Sequence, residues 1–247
     1  IENNIIQGHV GDYEYGYGIF AGSYKPGTTC ENITVRGNSI DDTDSDTPFE
    51  VGIRVYTGDN VCVADNIVNG SGKNGISVLD RAASGPTVVV NNVISNITAA
   101  AASGIRVNNT ESGCGSKLIY GNVVRNCDRG IYTHCTVETS DIVVKDNTLE
   151  NCTTPIYKYS TLGGIPTISL NTGYVTESKG TATLLNTTTS IVVAHGCSAT
   201  PTNITVTPGS IGNATKWYVD TIDATNFTIH VDQDPGEDIT FYWRAEV

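Results

Sequence analysis

Along the first 173 residues one arrangement of apolar and polar positions returns seven times: an aliphatic residue, two spacers, an asparagine, one spacer and a second, usually aliphatic, residue. It runs Ile1-Asn4-Ile6, Val35-Asn38-Ile40, Val63-Asn66-Val68, Val89-Asn92-Ile94, Ile119-Asn122-Val124, Val144-Asn147-Leu149 and Ile168-Asn171, where Gly173 breaks it. Successive asparagines stand 34, 28, 26, 30, 25 and 24 residues apart, as insertions of varying length between fixed strands would leave them. A second phrase alternates strictly with the first: Gly18-Ile19-Phe20, Gly52-Ile53-Arg54-Val55, Gly75-Ile76-Ser77-Val78, Gly104-Ile105-Arg106-Val107, Gly130-Ile131-Tyr132 and Pro155-Ile156-Tyr157. Neither phrase has a 3.6-residue period or the length of a helix, so each repeat carries at least two short strands joined by Gly and Asn corners. An apolar position that recurs once per repeat is buried only by stacking on the next copy, about 4.8 Å away. The expectation is an all-β solenoid of about seven coils. Its asparagines would form a ladder at one corner, each bonding its neighbour while tolerating left-handed backbone.

After Ser178-Lys179-Gly180 the repeat gives way to alternating segments at 181–185, 190–194, 203–207, 216–220, 226–231 and 239–245, which predict a compact antiparallel β-sandwich. The boundary divides the chain into residues 1–179 and 180–247. Trp217 and Trp243 are expected in or beside the second core, and His195 at a strand end, bonded to backbone.

The repeats, which read like the segment from Gly52 to Val55 followed by that from Asn60 to Val68, resemble the right-handed parallel β-helix of the pectate-lyase-like superfamily. The resemblance spans about residues 1–179 and implies a fold; that fold carries lyases, hydrolases, epimerases, viral tail spikes and adhesins, so activity rests on sites. The segments His195-Gly196-Cys197, Phe227-Thr228-Ile229 and Phe241 to Ala245 resemble C-terminal modules of viral tail and surface proteins and, more loosely, the H-type lectin fold. That likeness implies a tendency to trimerise.

Composition narrows the function. Fourteen Lys and Arg against 26 Asp and Glu leave a net charge of −12, which repels phosphate backbones and excludes nucleic acid as the main partner. Thr and Asn, 33 and 22 residues, favour strands and turns over helices. No apolar run approaches the roughly 18 residues of a spanning helix, so no membrane insertion is expected. The chain opens at Ile1 and lacks Met, as a processed product or excised fragment would. No GxSxG, HExxH, phosphate-loop or dinucleotide fingerprint occurs.

Seven cysteines and nine N-x-S/T sequons, at Asn32, Asn69, Asn96, Asn108, Asn151, Asn186, Asn203, Asn213 and Asn226, lean toward an extracellular, cell-surface or virion-surface glycoprotein. The alternative is that Asn69, Asn96 and Asn151 form a second corner ladder. Cys127 and Cys152 each fall five residues after a ladder asparagine and share a place on adjacent coils, where a disulfide is feasible. Cys114 with Cys135 and Cys30 with Cys62 are the other expected pairs, leaving Cys197 a buried free thiol. Zinc held by Cys127, His134, Cys135 and Cys152 is a competing reading whose spacing matches no tight ligand pattern. No cofactor is required. Asp42, Asp44 and Asp46 imitate the start of a calcium loop, but Thr47 and Ile53 replace its Gly and Glu, leaving a looser Ca²⁺ site or a solvated insertion.

In the second phrase the Ile faces inward, so alternation puts Phe20, Arg54, Ser77, Arg106, Tyr132 and Tyr157 on the outer face, followed two residues on by Gly22, Tyr56, Leu79, Asn108, His134 and Tyr159. Rings stack on sugar faces and Arg forks grip carboxylates or sulfates. Arg54, Tyr56, Arg106, Tyr132, His134, Tyr157 and Tyr159 thus form a candidate polysaccharide-binding surface. The bland alternative is an ordinary strand surface covered by a loop or a second subunit. Cleavage by elimination would need a base and a carboxylate-neutralising cation, for which Arg106, Tyr132 and His134 are the candidates. Hydrolysis would need two carboxylates, with Asp12 and Glu14, or Asp80 beside Arg81, as candidates. Three functions stay open: a carbohydrate-recognising surface protein, a polysaccharide lyase or hydrolase, and a structural filament or surface protein.

Overall fold

The computed structural model describes residues 1–7, 16–23, 28, 30–43, 49–56, 58–80, 84–109, 114–136, 141–160 and 166–247. All of its regular elements are strands, and no helix is long and apolar enough to cross a membrane. Contacts divide the chain into two units, Ile1–Gly173 and Tyr174–Val247.

The first unit is a parallel β-helix of three six-stranded sheets. Sheet I holds the residues before each ladder asparagine: Thr34–Arg36, Val61–Ala64, Thr87–Val90, Lys117–Tyr120, Ile142–Lys145 and Thr167–Ser169. Sheet II holds those just after it: Ile5–Gln7, Ser39–Asp41, Ile67–Asn69, Val93–Ser95, Val123–Arg125 and Thr148–Glu150. Sheet III holds the Gly-Ile phrases: Tyr17–Gly22, Val51–Tyr56, Asn74–Leu79, Ser103–Asn109, Arg129–Cys135 and Thr154–Ser160. The first phrase is therefore two strands bent around its asparagine, so each repeat supplies three strands. Seven asparagines yield only six strands per sheet, one fewer than the expected seven coils. The reason is that the two ends are incomplete: Glu2 makes only an isolated bridge to Arg36, and Thr172 one to Thr148.

Side chains stack as the repeat requires. Ile19, Ile53, Ile76, Ile105, Ile131 and Ile156 pair in unbroken register and are all buried. At the corner between sheets I and II, the Nδ2 of Asn4, Asn38, Asn66, Asn92, Asn122 and Asn147 each donates to the Oδ1 of the next asparagine, at 2.9–3.0 Å, ending on Asn171. The same Oδ1 accepts a backbone N–H from the neighbouring coil. Left-handed backbone falls one residue earlier than expected, at Asn3, Gly37, Asp65, Asn91, Gly121, Asp146 and Leu170. The preceding residue makes the turn and the ladder asparagine, free of that strain, points inward.

A second column of asparagines occupies the exposed corner after sheet II. Asn96 donates to Asn69 at 2.7 Å, and Asn126 to Asn96 and Asn151 to Asn126 at 3.3 Å; Asn96, Asn126 and Asn151 all have positive φ. This is the corner-ladder alternative for three of the sequons, joined by Asn126, which is not one.

The second unit contains two three-stranded antiparallel sheets. One orders Glu177–Leu184, Ile239–Glu246 and Asn203–Pro208; the other orders Ser190–Ala194, Asn226–Val231 and Trp217–Asp220. Leu184, Val193, Phe227, Ile229, Ile239, Phe241 and Trp243 from both sheets make one core, with the rings of Phe227 and Trp243 edge to face at 5.5 Å. Trp217 departs from expectation and is exposed, because it opens its strand outside that core. His195 is fully buried: its Nδ1 accepts the Cys197 N–H, which leaves Nε2 to donate to the Asp223 carbonyl. Cys197 is buried beside it, and burial pushes its thiol up.

Candidate functional site

Sheet III owes its position to its glycines. A Cβ at Gly104 would lie 2.3 Å from Val124 of sheet II and 2.9 Å from the Gly130 carbonyl; Gly52 and Gly75 meet the same obstacles. The bare backbone lets sheet II pack against the start of each sheet III strand, and alternation begins after it: Ile105 and Val107 inward, Arg106 and Asn108 outward.

Register then builds the outer face. Phe20, Arg54, Ser77, Arg106, Tyr132 and Tyr157 form one column, and Gly22, Tyr56, Leu79, Asn108, His134 and Tyr159 the next. The two columns touch. Tyr132 stacks on His134 with centroids 6.0 Å apart and meets Tyr157 edge-on at 5.2 Å; His134 meets Tyr159 edge-on at 4.8 Å. Arg106 lies 5.0 Å over the Tyr132 ring and its Nε donates to Asn108 Oδ1 at 3.1 Å. Arg54 lies 5.4 Å from the Tyr17 ring and 5.9 Å from that of Tyr56.

Arg129 belongs to this face and strict alternation misses it. Two residues before the inward Ile131, it should point inward by alternation, yet it is only half-buried and reaches the outer rings. Its guanidinium lies 4.0 Å over Tyr157 and 5.4 Å over Tyr132.

Burial and charge set the protonation states here. Desolvation raises the Tyr132 phenol above its ordinary value despite Arg106 and Arg129, which keeps it protonated. Desolvation, then the Arg106 charge, lowers His134, so its imidazole is neutral near pH 7. Burial lowers Arg106, with Arg54 and Arg129 adding to it while Tyr132 opposes. Such a surface can stack on rings and grip anions, and it offers one neutral base.

Several expected sites do not assemble. Asp12, Glu14 and Arg81 lie outside the described residues, as do Asp44 and Asp46. Asp80 is unavailable for hydrolysis: it forms a buried ion pair with Lys117 at 2.7 Å, both side chains at most 1% exposed. Lys117 also donates to the Gly85 carbonyl at 3.1 Å. Asp42 is buried and its carboxylate accepts the Phe49 N–H, a loop-closing bond. The four-ligand zinc grouping fails because Cys127 precedes the strand Arg129–Cys135 whose far end carries His134 and Cys135, roughly 20 Å away at ~3.3 Å per residue. Among the described residues, no three His, Cys, Asp or Glu converge on a common point.

Of the expected bridges, neither Cys30 with Cys62 nor Cys127 with Cys152 is closed, and Cys197 is a free thiol as expected. Cys30 pairs with Gly58, and Cys62 with Thr34 and Val88, so those two are out of step. Cys135 lies opposite Asn109 and Ser160. Cys127 and Cys152 do share a column, because Arg125 pairs with Glu150 and Arg129 with Thr154 on either side. They share a proton: donation to Cys152 holds the Cys127 thiol well above its ordinary value, and the same bond pulls Cys152 down to about 7.

Residues 2–187 match the family model described as "Periplasmic copper-binding protein (NosD)". No curated protein matches the chain.

Proposed function

The chain belongs to the NosD family, and on that premise we propose that it is a secreted or periplasmic β-helix protein that binds polysaccharide along the outer face of sheet III. One observation carries the reading: Arg106, Arg129, Tyr132, Tyr157, His134 and Tyr159 form a continuous patch in which every ring touches another ring or a guanidinium. Rungs repeat about every 4.8 Å, close to the scale of a sugar ring, so an extended glycan can meet a new ring or charge on each of the three rungs that carry Arg106, Tyr132 and Tyr157. The two arginines of this patch, Arg106 and Arg129, on a chain of net charge −12 select for an acidic glycan over a neutral one.

Titration calorimetry with uronate-containing and neutral polysaccharides tests it. Tyr132→Ala, Tyr157→Ala or Arg129→Ala should each weaken binding of the acidic glycan by about tenfold or more, about 1.4 kcal/mol. No binding by the native protein would leave the structural surface-protein reading in its place, and equal binding by all variants would move the glycan off this face. The neutral His134 beside Arg106 favours elimination as a further step. Release of unsaturated, ultraviolet-absorbing ends during the same incubation would turn the binding face into a lyase site. A trimer, proposed from the likeness of the C-terminal segment, would show as a threefold mass in light scattering.

The family's description favours a second reading, copper binding, which is independent of the glycan face. Among the described residues, the paired soft thiols Cys127 and Cys152 offer donor chemistry that fits copper.

A further inference from the structure

We propose that Cys127 and Cys152 form a two-thiolate site for Cu(I), a proposal that rests on the copper reading of the family. The two residues are equivalent positions on adjacent coils, locked by backbone bonds on both sides: Asn126 N to Glu150 O at 2.9 Å and Thr153 N to Cys127 O at 3.1 Å. Both thiols point into the corner between sheets II and III, where glycines leave room for them. A Cβ at Gly104 would sit 3.3 Å from the Cys127 sulfur, and one at Gly130 3.2 Å from that of Cys152.

This geometry favours a bridging ion over a disulfide. In-register neighbours on parallel strands keep their Cβ atoms near the rung spacing of ~4.8 Å, whereas a disulfide draws them to about 3.8 Å. Closing the S–S bond would pinch two coils that the Asn ladder and three sheets hold apart, while a metal between two sulfurs spans the wider gap. Thiolates select soft ions, and among the described residues no third donor of the kind that zinc or calcium needs converges here. The next residue in the column, Ile97, is fully buried and apolar, so the site stays two-coordinate. Access comes from an open depression lined by Thr98, Asn126, Cys127, Asp128, Asn151 and Thr153. On binding, two S–H bonds break, two S–Cu bonds form and two protons leave to water; copper stays Cu(I) throughout, so no oxidant or reductant is needed.

Reduced full-length protein titrated anaerobically with Cu(I) against the chelator bicinchoninate is the test. One Cu(I) per chain and a sulfur-to-copper charge-transfer band in the ultraviolet are expected. Cys127→Ser and Cys152→Ser should each weaken retention by about 100-fold, while Cys197→Ser keeps it. Should a variant fail to fold by circular dichroism, native protein still decides: Cu(I) loading should block iodoacetamide at Cys152 and spare Cys30 and Cys62. Native-like copper retention by the double variant would overturn this site and leave the family reading standing. No copper uptake by native protein would overturn both. A Cys127–Cys152 disulfide recovered quantitatively from protein isolated without reductant would also overturn the site.

Discussion

Asn122 sits between Asn92 and Asn147 with every polar atom of its amide used: Oδ1 accepts the Asn92 N–H and side-chain amide, and Nδ2 donates to Val89 O, Tyr120 O and Asn147 Oδ1. Asn122→Ala strands buried donors and acceptors, each costing about 1–3 kcal/mol, so urea unfolding should show a loss of about 3 kcal/mol or more. Lys117 obeys a different rule. A buried ion pair contributes little net stability, but removing one partner abandons a buried charge, so Lys117→Met should cost about 3–5 kcal/mol, and adding Asp80→Leu should restore much of it. His134 supplies a pH signature. Its folded pKa lies below the unfolded value, so below about pH 6.5 the unfolded chain binds more protons and stability falls as pH falls. Its NMR titration midpoint should lie below that of His in a short peptide. Of these residues the ladder asparagine was legible from its period. The Asp80–Lys117 pair was not, since neither residue belongs to a repeating phrase that would mark it as the other's neighbour.

At the level of the strand, glycine decides where sheet III begins. Gly104→Val would drive a branched side chain into Val124 and the Gly130 carbonyl, both in fixed, buried structure. The expected loss is about 2–3 kcal/mol, the cost of overpacking a tight core, read as a lowered unfolding midpoint with unchanged denaturant slope. The outward columns of sheet III were readable because alternation has period two. Arg129 was not, because strict alternation from Ile131 assigns it to the inner face, whereas its guanidinium lies over the outer rings of Tyr132 and Tyr157. The sheet I and sheet II strands of each repeat read as one phrase, since the bend at the asparagine leaves no turn residue beyond the single one before it. The cysteine offsets divide at this scale too: equal offsets placed Cys127 and Cys152 in one column, whereas insertions shifted Cys30 out of step with Cys62.

Across the whole chain, two separate cores follow from two patterns of apolar residues. Residues Tyr174–Val247 enclose their own core, including Phe227, Phe241 and Trp243. A fragment beginning at Tyr174 should therefore unfold cooperatively on heating, with loss of near-ultraviolet dichroism; a broad, gradual melt would contradict that independence. The two readings of function likewise divide by chemistry, aromatic rings and guanidinium groups on sheet III for glycan and a sulfur pair at a corner for copper. The sequence by itself determined the stacking of coils, because a once-per-repeat apolar residue has nowhere to be buried except on its own copy. It also determined which side chains share a column, because parallel strands in register turn sequence offsets into vertical neighbours. Only the tertiary structure decided which columns touch one another, that an acidic residue near a proposed site is committed to a buried lysine, and that two thiols face each other at rung spacing. Those facts depend on how three sheets meet at their corners, and corner geometry is set by backbone contacts that no single segment of the sequence contains.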